Sequence, residues 1–423
     1  METAIIRFLY SILFYCLTPI VLLRVYWRSR REPRYADDLP QRFGFLPARH
    51  DNPIWVHAVS AGETIAITPL VKRLVVLGHR VIVTNMTPTG RERVESLLLP
   101  DCGESVTHAY VPYDLPNAVS RFLARTKPKA LIIVDTELWP NMLHQVSRQK
   151  IPSILVNGRL SEKSAAGYAR ISLLSRPMFN QLTCVCAQSA LQGERFKRLG
   201  VSTEGLHVTG SVKFDLQLPD DLLTRKTALQ QKFTGRPVLL AASTHNGEED
   251  VVLRAFKQMG LSEDAILVLA PRHPARADAV FKLCEQAGLP VQRHSSGRDI
   301  MPKTKVYLID TLGELLYFYS IANSAFVGGS LVDVGGHNPM EPAHFGIPIL
   351  MGGYLRNIKD IAEQFVEGGA MKITQPSELA ADWREIELNS RLHKQMSEAA
   401  LRVMQANRGA LDRVEQVLLP HLQ

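Results

Sequence analysis

The sequence predicts an α/β protein of two doubly wound domains behind an N-terminal apolar helix. Short, continuously apolar runs alternate with helical patterns, the way parallel strands buried on both faces read. The alternation breaks once, at the turn-forming stretch G-S-V-K-F-D-L-Q-L-P-D-D from Gly210 to Asp221. A chain of 423 residues is also long enough for two full cores.

The chain opens on the apolar helix. From Ala4 to Val25 it is almost wholly apolar, with Arg7 and Arg24 bracketing an uncharged run, Phe8 to Leu23. That run is slightly shorter than the ~20 residues of a spanning helix, though snorkelling arginines extend its reach. A single-pass anchor is the first expectation, ahead of a helix lying in the membrane plane and of a buried core helix. Tyr10, Tyr26 and Trp27 suit the interface. The basic cluster Arg24, Arg28, Arg30, Arg31 and Arg34 follows the apolar run, and no A-x-A site is present. This order favours an uncleaved anchor with the body on the cytoplasmic side.

Strands are expected in the first half at 54–59, 80–84, 109–112, 130–135, 153–157 and 183–187. The second half offers 237–243, 265–271, 305–310, 324–329 and 347–352, followed by an amphipathic helical stretch from Trp383 to Leu422. Two such domains are expected to face each other across a cleft lined by the carboxyl ends of strands. Hydrophobic content of 46% and charged content of 21% exclude a disordered chain. The net charge of +8 calls for an anionic partner. Without zinc-finger spacing or an RNP-type aromatic motif, a membrane surface or phosphorylated substrate fits better than nucleic acid. The five cysteines are scattered and read as reduced packing residues.

Candidate chemistry sits where strands run into helices. In S-A-G-E (60–63), Ser60 and Glu63 fit a capping box, and the helix dipole favours a carboxylate there by ~0.3–1 kcal/mol. Equally, Glu63 fits an ionised base held at a strand's carboxyl end. Pro69 is expected to kink or shorten the helix that follows. Glu137 is a second carboxylate just after a strand, or a helix-start acid ahead of Pro140. Lys213, at the domain break, is either a surface lysine or a cation for a phosphate. Arg272 and His273 in A-P-R-H-P follow a buried strand, and arginine suits forked phosphate contact. Gly313 and Glu314 lie in another strand-to-helix turn. The glycines of Gly328–Gly336 offer amides to a phosphate, and Glu341 could hold ribose hydroxyls. His337 and His344 have no third ligand at metal spacing, so no metal is expected.

Taken in order, S-A-G-E (60–63), T-E-L-W-P (136–140), N-G-R-L-S (157–161), G-S-V-K-F-D (210–215), A-P-R-H-P (270–274) and G-G-H-N-P-M-E-P (335–342) resemble the bacterial 3-deoxy-D-manno-octulosonic acid (Kdo) transferases of lipid A synthesis. The resemblance implies an inverting, metal-independent GT-B glycosyltransferase. Its domains would be an anchor (1–34), an acceptor-binding domain (35–212) and a donor-binding domain (213–423) whose C-terminal helix packs back. Donor and acceptor would be CMP-Kdo and lipid IVA, with no cofactor and no nucleic-acid partner. The body would work on the cytoplasmic face of the inner membrane, in contact with its lipids. Glu63 corresponds to the general base, and Glu137 and Lys213 to residues assisting the transition state. Arg272, His273, Leu312, Gly313, Glu314, Asn338, Pro339, Met340 and Glu341 correspond to the CMP site. Arg159, Lys163, Arg170 and Arg176, with Tyr168, Leu173 and Leu174, form a candidate basic–apolar membrane face. The rival readings are another GT-B nucleotide-sugar enzyme, including an epimerase, and a non-catalytic membrane-bound nucleotide or lipid binder.

Overall fold

The computed structural model describes residues 2–30, 33–48, 51–215 and 218–422. Arg31 of the basic cluster and residues 216–217 of the domain break lie outside them. The chain forms two compact units, Met1–Asp215 with Gly409–Gln423, and Leu216–Arg408.

The first unit is built on seven strands: β1 (Ile54–His57), β2 (Val81–Asn85), β3 (Val106–Tyr110), β4 (Ala130–Val134), β5 (Ser153–Gly158), β6 (Cys184–Ala187) and β7 (Leu206–Val208). Their order is β3-β2-β1-β4-β5-β6-β7, and every neighbouring pair is parallel. Strand side chains alternate between faces. Ile54 and Val56 enter one core with Ile67, Leu70 and Leu74 of the helix Ala61–Val76. Trp55 enters the other core, 4.4 Å from the Phe122 ring, and its indole donates to Thr84 Oγ1 at 2.9 Å. Each fully buried aliphatic side chain contributes about 1.5–3 kcal/mol.

Pro69 does not shorten the helix Ala61–Val76, which runs through it for 16 residues. Proline removes only the bond to the carbonyl of Ile65, an exposed residue, while Leu70, Val71 and Leu74 beyond it are fully buried. Core packing of the second half outweighs the lost bond.

The second unit repeats the plan with β8 (Val238–Thr244), β9 (Ile266–Pro271), β10 (Val291–Arg293), β11 (Val306–Leu308), β12 (Ser324–Val327), β13 (Ile349–Met351) and β14 (Met371–Ile373). The order is β10-β11-β9-β8-β12-β13-β14, again all parallel. Three strands at or near sheet edges, β7, β10 and β14, lie outside the sequence expectation, and β3 starts before the expected 109–112.

The stretch expected as one terminal helix is three, Leu379–Leu388, Ser390–Asn407 and Ala410–Leu418. Trp383 of the first is buried in the second unit's core with Leu379 and Ile386. Only the last returns to the first unit, burying Leu411, Val414, Leu418 and Leu422 against its sheet. Asp215 accepts from the amides of Gly409 (2.8 Å) and Leu411 (2.5 Å), a carboxylate at a helix start. Lys213 therefore sits in the first unit, just ahead of the break. All five cysteines are free; Cys184, Cys186 and Cys284 are buried. Cys16, expected as a packing residue, is exposed on the N-terminal helix.

Candidate functional site

In a doubly wound sheet, ligands gather outside the carboxyl ends of strands where the strand order reverses. In the first unit that point lies between β1 and β4. Glu63 follows β1 on the first turn of the helix Ala61–Val76, and Asp135 and Glu137 follow β4.

Glu63 folds back on its own helix start. Its Oε2 accepts from the Val59 amide and its Oε1 from the Ser60 hydroxyl, both at 2.7 Å, while the Glu63 amide donates to Ser60 Oγ at 3.3 Å. The capping arrangement is thus present, extended by one residue to Val59. Burial raises the Glu63 carboxyl to about 7, helped by the negative charges of Asp135 and Glu137, while the bonds from Ser60 and Val59 oppose the rise. The group is therefore part proton acceptor and part proton donor near neutral pH. Burial also raises Glu137, with a smaller push from Asp135.

Asp135 and Asn157 hold this region together. Both have left-handed backbones, φ 58° each, a conformation that Asn and Asp tolerate better than most residues. Asn157 Nδ2 donates to Asp135 Oδ1 at 2.5 Å. Its Oδ1 accepts from the Ser211 hydroxyl at 3.0 Å and the Val212 amide at 3.2 Å. One amide thereby ties the ends of β4 and β5 to the turn Val212–Phe214 that carries Lys213. Lys213 Nζ lies 3.7 Å from Asp135 Oδ2. Glu63, Glu137 and Lys213 thus share one carboxyl-end region of one sheet, organised by Asp135, which the sequence reading did not single out, and by Asn157, which it quoted only as the start of N-G-R-L-S. The signal was there, a polar residue closing each of two apolar strands.

In the second unit the order reverses between β8 and β12. The glycine-rich loop after β12 does offer amides to an anion, but the anion is internal. Glu248, fully buried, accepts from the amides of Gly329 (2.7 Å), Ser330 (2.9 Å), Leu331 (2.9 Å) and His245 (2.9 Å). The amides of Gly335 and Gly336 are spent on the Gly329 carbonyl. These glycines therefore do not form the phosphate cradle that the sequence suggested. Gly328 has a further reason to be glycine, since a Cβ there would sit 2.6 Å from the Ser243 carbonyl oxygen. The adjacent Glu249, also fully buried, pairs with Arg276 at 2.6 Å.

Polar groups that remain available surround this filled crevice. Arg272 and His273 are exposed at the end of β9. His245 and His337 stack with ring centroids 5.0 Å apart and their Nε2 atoms at 2.8 Å, so one donates to the other. Burial, with the neighbouring His245, Arg272 and His273, lowers His337 to about 4, which keeps it neutral. Asn338 Oδ1 accepts from the Met340 amide at 3.0 Å, and its Nδ2 lies 3.4 Å from Glu341 Oε1. Burial raises Glu341, while Asn338 and the Arg272 charge hold it down. Pro339 caps the short helix Met340–His344. Leu312 is exposed and Gly313 takes φ 81° in the turn after β11. Glu314 bonds to Arg225 and lies 3.8 Å from His294. Arg272, His337, Asn338 and Glu341 form one neighbourhood, and Glu314 keeps its own partners. Among the described residues, no three His, Cys, Asp or Glu side chains are grouped to hold a metal ion.

Two Rossmann-like units, each a seven-stranded parallel sheet, place the chain in the GT-B class. The UDP-GlcNAc 2-epimerase of Neisseria meningitidis, solved with UDP-GlcNAc, shares that fold at 15% identity, with a TM-score of 0.56 over 87% of this chain and 100% of that one. A glycosyltransferase of Rickettsia africae shares it at 13% identity and a TM-score of 0.51, over 88% and 100%. Residues 37–216 match the family described as 3-deoxy-D-manno-octulosonic-acid transferase (kdotransferase). The 3-deoxy-D-manno-octulosonic acid transferase of Haemophilus influenzae is 37% identical over 426 residues, 99% of each chain. That of Bordetella pertussis is 36% identical over 419 residues, 96% of this chain and 97% of the other. The chain belongs to the Kdo transferases, a family of glycosyltransferases.

Proposed function

We propose that the protein transfers Kdo from CMP-Kdo to a hydroxyl of lipid IVA, with inversion, using Glu63 as general base. One observation carries the assignment of the base: a carboxylate at the switch point of the first sheet, held near neutrality by burial and two neighbouring acids. Glu63 takes the acceptor hydroxyl proton as that oxygen bonds to the anomeric carbon of Kdo. The bond from that carbon to the CMP phosphate oxygen breaks, and the electron pair leaves with CMP. Lys213, oriented through Asp135 and Asn157, and Glu137 assist the transition state. The exposed Arg272, with His273, Leu312 to Glu314 and Asn338 to Glu341, takes the CMP moiety. Cationic side chains suit a departing phosphate, and on this reading no divalent ion is needed. The apolar helix Glu2–Ser29 and the basic charge support action on a lipid acceptor at the membrane.

The test is incubation with CMP-Kdo and lipid IVA in excess EDTA, with products weighed. The expected product carries the added mass of Kdo. Glu63→Gln should lower turnover by about 10²–10⁴-fold, the usual contribution of a general base, with CMP binding retained. Unchanged turnover of that variant would sink the assignment of the base.

A further inference from the structure

We infer that the N-terminal helix does not cross the membrane but lies in its plane, as one edge of a basic, apolar face of the first unit. The inference uses the membrane-bound reading above only for the occupant of that face, a bilayer with anionic headgroups. The geometry itself comes from the helix.

Both ends of this 28-residue helix are tied to one globular unit. Near its start, the Tyr10 hydroxyl donates to Asp114 Oδ2 at 2.9 Å and the Ser11 hydroxyl to Asn141 Oδ1 at 3.1 Å. Asp114 belongs to the body, is 3% exposed, and also accepts from the amides of Asn141 and Met142. At the other end, the Arg28 guanidinium lies 4.7 Å from the Tyr35 ring centroid. Further along, the chain is held in the same unit: Gln41 accepts from the Tyr110 amide at 2.8 Å, and Arg42 donates to the Met86 carbonyl at 3.0 Å. Tyr10 and Trp27 lie about 25 Å apart along the axis at 1.5 Å per residue, close to the ~30 Å of a hydrocarbon core. A spanning helix would separate these ends into two aqueous compartments. One folded unit cannot hold both.

The distribution of side chains agrees. The less exposed positions of the helix include Ser11, Phe14, Thr18, Leu22, Val25 and Ser29, spaced three or four apart on one stripe. That stripe is polar at three places and packs toward the helices Pro140–Arg148 and Ser172–Asn180. The opposite face presents Phe8, Leu9, Leu13, Ile20, Leu23 and Trp27, all exposed. Exposed Ile171 and Leu173 on the neighbouring segment continue it. A contiguous apolar surface of this kind marks an interaction site. Its charge selects the partner: Arg7, Arg24 and Arg28 lie on the helix, Arg170 and Arg176 beside it, and no acidic residue occurs between Thr3 and Arg31. Apolar insertion with a basic rim is the signature of an interfacial helix on an anionic surface.

The test uses the full-length protein with Cys16→Ser, Cys102→Ser and Thr3→Cys, bound to phosphatidylethanolamine–phosphatidylglycerol vesicles. A membrane-impermeant maleimide added outside should label position 3 completely without detergent. Labelling that needs detergent overturns the inference. Depth-sensitive probes placed singly by Leu9→Cys, Leu13→Cys, Ile20→Cys and Leu23→Cys should report one shallow depth, whereas a maximum at mid-helix overturns it. Failure to float with these vesicles, or burial of the face in a dimer instead, also overturns it. Kdo transfer to lipid IVA is measured on the same bound Thr3→Cys protein. Its absence counts against the proposed reaction and leaves the labelling result standing.

Discussion

On the proposed mechanism Glu63 carries two jobs in one carboxylate, and pH should separate them. A base must be ionised to accept a proton, and burial has raised this group to about 7. The acceptor step should therefore speed up as pH rises through 7 and lose about tenfold per unit below it, read as kcat/KM against pH. Stability runs the other way. Between the ordinary value of 4.5 and about 7 the folded state holds more protons than the unfolded one, so stability falls as pH rises through that window. Glu63→Gln should abolish that fall, which urea midpoints at pH 5 and pH 8 would show. Asn157 makes a third case. Asn157→Ala removes the amide that joins Asp135 to the Lys213 turn, and small misplacements of this kind can lower rate about 100-fold. We expect the loss in kcat with little change in the KM for lipid acceptor; a loss confined to KM would refute the positioning role.

At the scale of elements, the second unit's switch point is held by a carboxylate satisfied by four backbone amides. Truncation would orphan all four, at about 1–3 kcal/mol for each group left unsatisfied. Glu248→Ala should thus cost at least about 4 kcal/mol in urea denaturation of the second unit, and Glu248→Gln less. Glu248 also marks the limit of what the sequence discloses. The glycine run after β12 was legible as an anion site, but the identity of the anion was not, because it arrives from a helix 81 positions earlier in the chain. The long apolar strands β1, β4, β5, β8 and β9 were legible because burial on both faces leaves an unbroken apolar run. The strands β7, β10 and β14 were not: they lie at sheet edges and are only partly buried, so they lack the unbroken apolar run that marks the equally short β11 and β13. The shortening allowed for at Pro69 did not occur, for a related reason: a local rule about proline was overridden by three core side chains beyond it. The placing of Glu63, Glu137 and Lys213 after strands or at the break was legible, whereas the bond that joins Asp135 to Asn157 was not, although Asn157 opens the motif N-G-R-L-S.

For the molecule as a whole, the decisive feature is the return of Gly409–Gln423 to the first unit. Leu411, Val414, Leu418 and Leu422 fill its core, and Arg73 pairs with Asp412 at 2.5 Å and Glu415 at 2.9 Å. The ion pairs are partly exposed and contribute little; the buried leucines carry the attachment. Leu411→Ala should cost about 2–5 kcal/mol, lowering the urea midpoint of the first unit, whereas Arg73→Ala should shift it by under about 1 kcal/mol. Removing residues 409–423 should expose the first unit to limited proteolysis while leaving Trp383 buried in the second.

This return also sets an order of events during synthesis. Domains fold as units, usually from the N-terminus as the chain emerges. Here the first unit leaves the ribosome with part of its core still untranslated, and the whole of the second unit is made in between. The half translated later is the first to own a complete interior. The first can close only when the last leucines are released, so a ribosome stalled anywhere before residue 411 holds an open apolar sheet face.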